Sequence, residues 1–226
     1  MKPNTRLKCD RQISRKPFTS LASSSKVRYT TGYTITEILL VVGLISIFAG
    51  IAVPAWMGFI SRQQLRTGAT RVYWAMRSAQ SEAKRQKTSV QATFREENGR
   101  IQLTVHQPNI LPANISDAAW ETLPRGVEVD KGQDETTLRK INPATNQVTT
   151  ADTNYYRALF NYKGCPVYNP SNECTQTSLL AKGRLGLIHK NLEKQKRCVI
   201  ISTLIGVVRT GEEQPRKESG TDRFCY

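Results

Sequence analysis

Histidine is nearly missing from this chain: His106 and His189 are the only two in 226 residues. They lie far apart, and neither occupies a nucleophile elbow or a metal-ligand spacing, so both are expected as ordinary exposed strand-end residues. No glycine-rich phosphate loop is present. The nearest approach, "KGRLG" at 182–186, is followed by no helical pattern and suits the entry to a strand. No period of 20 to 50 residues repeats, which excludes solenoid and propeller architectures. These absences remove the usual grounds for expecting an enzyme, a cofactor or a metal. Acidic residues are scarce too, 18 against 33 Lys and Arg, for a net charge of +15.

That excess is uneven. Residues 1–32 carry eight Lys or Arg and one acid, Asp10, in a polar arm with a Ser-rich "SLASSS" and no apolar periodicity. Such an arm has too little apolar surface to fold by itself. From Ile38 to Ile60 run 23 residues without a charge, enough for a helix of about 35 Å and so for one membrane crossing. Basic residues flanking a span stay cytoplasmic, so the chain after Ile60 is expected on the far side. A secretory signal peptide would end in a small-residue cleavage site, and Val53-Pro54-Ala55 is only a weak version of one. A plain signal anchor accounts for the run but not for Glu37, directly before it. A charge at mid-bilayer depth costs about 2.5 to 3.5 kcal/mol, so this carboxylate needs a partner or a task.

The segment "TTGYTITEILLVVGLISIFAGIAVPAWMGFI", residues 30–60, combines four features. A basic leader ends in Gly32, the aromatic Tyr33 follows, Glu37 is the fifth residue after the glycine, and Pro54 is the twenty-second from Tyr33. This spacing resembles the class III signal of type IV prepilins. The resemblance implies cleavage after Gly32 by a prepilin peptidase and methylation of the new amino terminus at Tyr33, where phenylalanine is usual. It also implies that Glu37 meets the positive amino terminus of a neighbouring pilin subunit, opposite charges in a low dielectric offsetting their desolvation. Pro54 falls where pilin helices commonly carry a kinking proline.

Beyond Pro54, Leu65, Ala69, Val72, Met76, Ala79 and Ala83 recur at helical spacing and predict one apolar stripe. The opposite face carries Arg62, Arg66, Arg71, Arg77, Lys84, Arg85 and Lys87 against Glu82 alone. It suits either an anionic partner, membrane headgroups near Arg62 or a nucleic acid further out, or a solvated face complementing acidic neighbours in a fibre. "SVQATFREENGRIQLTVHQ" predicts a β-hairpin turning at Asn98-Gly99. Strands are further expected within 120–130, 157–166, 181–190 and 196–211. The expected fold class is α+β, a long N-terminal helix packed on an antiparallel β-sheet. The expected division is a cleaved leader over 1–32, a membrane and assembly helix over 33–60, an amphipathic helix over 61–88, and a β-rich domain over 89–226. Within that domain, about 131–156 is polar and Thr/Asn-rich and expected as a loop or insertion.

The order of these blocks resembles the H-type pseudopilin and FimT-like minor pilin family (GspH/FimT). The likeness rests on Trp120 to Val129, Phe160 to Gly164 and Arg197 to Gly211. It implies a minor pilin or type II secretion pseudopilin, with partners that include the peptidase, other pilin subunits and inner-membrane lipid before assembly. Some FimT-like proteins bind DNA through a basic "GRxR" turn. The matching residues here are Gly206, Val207, Val208 and Arg209, so only Arg209 carries over, with Arg197 and further tail cations as candidate phosphate contacts.

Five cysteines occur. Cys9 would leave with the leader, which keeps an even four for an oxidising compartment. Four cysteines allow three pairings. Sequential pairing, Cys165 with Cys174 and Cys198 with Cys225, is expected because it closes a small loop and ties down the tail. Zinc is the rival, but the spacing suits neither a ribbon nor a finger.

Overall fold

The structure, a computed structural model, describes residues 32–132, 135–174, 181–202, 204–217, 219 and 224–226. The basic leader, Cys9 and the tail residue Arg223 lie outside these residues. The chain divides into two compact units, residues 1–46 and 47–226. In the first, the described part is Gly32 to Thr34 followed by the opening turns of helix α1, Ile35–Gln86. The second holds the remainder of α1 and all of the β-structure.

Within the second unit, the predicted stripe of α1 is the buried one: Leu65, Ala69, Val72, Met76, Ala79 and Ala83 all join the hydrophobic core. The helix stops at a left-handed residue, Lys87 (φ 52°), after which the N–H of Thr88 donates to the Ala83 carbonyl. That closing bond satisfies one of the end carbonyls a helix otherwise leaves open.

The hairpin follows at once, with β1 over Val90–Glu97 and β2 over Arg100–His106. Asn98 (φ 52°) and Gly99 (φ 66°) form the two-residue turn. Left-handed conformation at both positions matches the right-handed twist of the flanking strands. Val90, Ala92 and Phe94 enter the core beneath α1. The remaining strands are β3 (Glu121–Thr122), β4 (Val127–Val129), β5 (Arg139–Lys140), β6 (Tyr155–Phe160), β7 (Gly183–His189), β8 (Leu192–Ile201) and β9 (Val208–Glu212).

The fold is α+β, as expected, but the strands form two antiparallel sheets instead of one. The first has five strands in the order β3-β2-β1-β6-β5 and the second four in the order β4-β7-β8-β9. The three C-terminal strands pair successively with each other, and the short "VEV" strand caps their free edge. Leu185, Leu187, Val199 and Ile201 bring the second sheet into the same core as α1 and β1.

The segment at 131–156 also differs from expectation. It contains β5 and a bridge between Ile141 and Val148, and it buries Leu138, Ile141 and Asn146. The cause lies on β1, whose other face presents Gln91, Thr93 and Arg95, all buried. The Gln91 and Asn146 side-chain amides exchange hydrogen bonds, each 3.1 Å. Arg157, on β6, donates to the carbonyls of Asn146 and Tyr168 at 2.7 and 2.9 Å. Burial lowers its pKa to about 10. Polar partners supplied by the Thr/Asn-rich segment make this buried face tolerable, because an unpaired polar group there would cost about 1 to 3 kcal/mol.

Candidate functional site

Gly32, Tyr33 and Glu37 lie in the first unit, at and just before the start of α1. Gly32 precedes any regular structure, and a side chain there would meet nothing within 4 Å. Tyr33 is 76 % exposed. Thr34 stands one residue ahead of the helix, and its hydroxyl accepts the N–H of Glu37 at 3.2 Å. A threonine followed three residues later by glutamate is a capping-box arrangement, and it places the carboxylate in the first turn, beside the positive end of the helix dipole. Glu37 thus has a local role in starting the helix, and its side chain remains exposed. From Ile38 onward the apolar residues stay exposed through Phe59, and α1 is long and apolar enough over this stretch to cross a membrane. Pro54 lies inside α1, which is continuous through it.

Burial begins at Ser61 and Leu65, in the second unit. The basic side chains around this point differ in their partners. Arg71 faces Glu121 at 3.3 Å and donates to the Thr122 carbonyl, and Arg85 pairs with Glu82. Arg62 and Arg66 have no carboxylate within ion-pairing distance among the described residues. At the other end of the buried stripe, the Gln80 amide donates to the carbonyls of Gly164, Ile205 and Gly206 at 2.8, 3.3 and 2.9 Å. This residue carries no sequence signal beyond its helical position, so it goes unseen in the chain alone.

Arg197 and Arg209 are not brought together. Arg197 stands opposite Glu212 in the β8/β9 ladder and pairs with it at 2.7 Å. Arg209 stands opposite Ile200. Because side chains alternate along a strand, the two arginines project from opposite faces of the sheet. Arg209 thus lies on the face turned away from α1, and with its strand neighbours Val208 and Thr210 it forms the rim of a cleft reached by Thr70, Tyr73 and Trp74 of α1. Trp74 is 63 % exposed and meets Tyr73 edge-on at 5.4 Å.

Both histidines depart from expectation: they end strands, but they are not exposed. His189 is buried. The N–H of Asn191 donates to its Nδ1 at 3.2 Å, so Nε2 carries the proton and donates to the Gln64 side-chain oxygen at 2.9 Å. His106, half-buried at the end of β2, faces the Gln107 carbonyl through Nδ1 and the Thr93 hydroxyl through Nε2. Burial lowers both pKa values, so each ring is held neutral.

Two disulfides are present, Cys165–Cys174 and Cys198–Cys225. The second fastens the C-terminal residues beside a buried ionic group. Lys196 pairs with Asp130 at 2.7 Å and lies 3.7 Å from Glu135, while Arg184 donates to the Cys225 carbonyl at 2.6 Å. Burial opposes the charge on Lys196, yet the Asp130 hydrogen bond and the nearby carboxylates leave its pKa raised. Among the described residues, no group of three or more His, Cys, Asp or Glu is placed to hold a metal ion.

Compared with known proteins, the chain matches no family model, no curated protein and no solved structure.

Proposed function

We propose that this chain is a minor type IV pilin or type II secretion pseudopilin of the GspH/FimT kind, a structural subunit and not an enzyme. A prepilin peptidase cuts after Gly32 on the cytoplasmic side and methylates Tyr33. The subunit then leaves the inner membrane for a fibre, guided by Glu37 and the apolar part of α1. One observation carries the reading: a single exposed carboxylate in the first turn of α1, directly before an uncharged, exposed apolar stretch of that helix and five residues after a glycine that ends a basic leader. A fully exposed apolar surface of this length needs lipid or neighbouring subunits to cover it.

The deciding experiment is the intact mass and N-terminal sequence of the protein from its native membrane, with and without the peptidase. A chain starting at methylated Tyr33 only when the peptidase is present supports the reading. A full-length chain in both cases overturns it and leaves an anchored extracytoplasmic domain. In a processed subunit, Glu37→Ala should leave membrane insertion intact and reduce incorporation into sheared fibres at least tenfold. Unchanged incorporation would leave Glu37 only its favourable place at the positive end of the helix dipole.

A second reading, DNA retention for natural transformation, is favoured by two exposed residues, Arg209 and Trp74, on the rim of one cleft. A cation and an aromatic platform together suit a single strand, with affinity that falls as salt rises. Arg197 contributes less to this reading because Glu212 already occupies its guanidinium. Gel-shift titration of Arg209→Gln and Trp74→Ala tests it, and unchanged shifts would end it.

A further inference from the structure

Between the wholly exposed and the half-buried parts of α1 lies an open groove of about 600 Å³, bordered by Phe59, Arg62, Arg66, Thr70, Arg71 and Arg197. Four arginines border it, but their charges are not equally available. Arg71 is taken up by Glu121 and Arg197 by Glu212. Arg62 and Arg66, one helical turn apart on the same face, are exposed and have no acidic partner among the described residues. Just below them, Trp56 and Phe59 expose 65 % and 55 % of their surface, with ring centroids 6.0 Å apart.

Resting on the reading of Ile38–Ile60 as membrane-spanning, we infer that this groove is a headgroup site for anionic phospholipid, in which Arg62 and Arg66 hold the phosphates. The position along the helix carries the argument. A hydrocarbon core is about 30 Å thick and the uncharged run covers about 35 Å as a helix, so the residues just after Ile60 fall at headgroup depth. Exposed Trp and Phe immediately before them, and unpaired guanidinium groups immediately after, match the order of chemistry across that boundary. Guanidinium also bonds phosphate with two parallel N–H groups, which favours lipid phosphate over a zwitterionic surface in which an ammonium competes. An acidic protein partner would find the same charge. It would not explain why the free arginines sit next to the aromatic pair, while the arginine one turn further on is already paired.

The test is lipid retention by the full-length chain. The protein is inserted in bilayers of equal phosphatidylcholine and phosphatidylglycerol, released in mild detergent, and its bound lipids counted by native mass spectrometry. At about fivefold per arginine, the wild type should keep phosphatidylglycerol over phosphatidylcholine by about 25-fold. Arg62→Gln/Arg66→Gln should lose that preference, and Arg62→Lys/Arg66→Lys should keep most of it. Lys87→Gln, roughly 35 Å further along the helix, should leave it unchanged. An inserted double glutamine variant with undiminished preference would overturn the headgroup site alone. A wild-type chain that alkaline carbonate strips from the bilayer would overturn the membrane reading together with it.

Discussion

At residue scale, the two histidines make the domain sensitive to mild acid. Each ring is neutral and each nitrogen already has a partner: Nδ1 of His189 accepts from Asn191, and Nε2 of His106 lies against the Thr93 hydroxyl. Their folded pKa values lie below the ordinary 6.5. The unfolded chain therefore binds more protons than the folded one as pH falls through about 6.5, and stability must drop in that window. It should be flat with respect to these groups above pH 7. Urea midpoints at pH 5.5 and 7.5 check this, and His189→Gln, which keeps a polar amide without a titrating ring, should reduce the difference. Gly206 is a second sensitive point. Its φ is +78°, and a Cβ there would stand 2.7 Å from both the Gln80 amide nitrogen and the Gly164 carbonyl. Gly206→Ala should cost about 1 to 3 kcal/mol, measured by the same denaturation. A loss below 0.5 kcal/mol would mean that the Gln80 bonds do not hold the β8–β9 turn.

At the scale of elements, the helix and the hairpin were legible because each follows one physical period. The stripe from Leu65 to Ala83 repeats at three and four, and Asn98-Gly99 suits only a turn with two left-handed residues. The cover at 131–156 was not legible. Its composition is that of a loop, and what makes it a packed layer is the polar side chains on β1, which only the folded register brings beneath it. The split into two sheets was hidden for a similar reason: strand order depends on which edges remain free once the first hairpin has formed. The histidines read as exposed because nothing local to His189 reveals Gln64, 125 residues earlier. Disulfides act at this scale as well. In the chain-entropy model, closing across separations of 9 and 27 residues contributes about 2.7 and 3.6 kcal/mol. Cys198→Ala/Cys225→Ala should therefore destabilise more than Cys165→Ala/Cys174→Ala. It alone should release the C-terminal residues to carboxypeptidase, and resistance to digestion would mean that the ionic group around Lys196 holds them by itself.

At the scale of the whole molecule, the candidate site was legible at its N-terminal end and poorly so at its C-terminal end. Gly32, Tyr33, Glu37 and Pro54 are singled out by linear spacing alone, which needs no fold to be seen. Arg197 and Arg209 depend on strand alternation and on the position of Glu212, and these separate two cations that look like neighbours in the chain. The double duty of α1 has a mechanical side. From Leu65 to Ala83 the helix is part of the core, while its earlier apolar residues are exposed. A pull along its axis would have to slide seven buried apolar side chains past both sheets at once, in shear, instead of peeling them away one after another. Contacts loaded in parallel share the force. A domain threaded on its own tether in this way is far harder to strip off than one joined through a flexible linker.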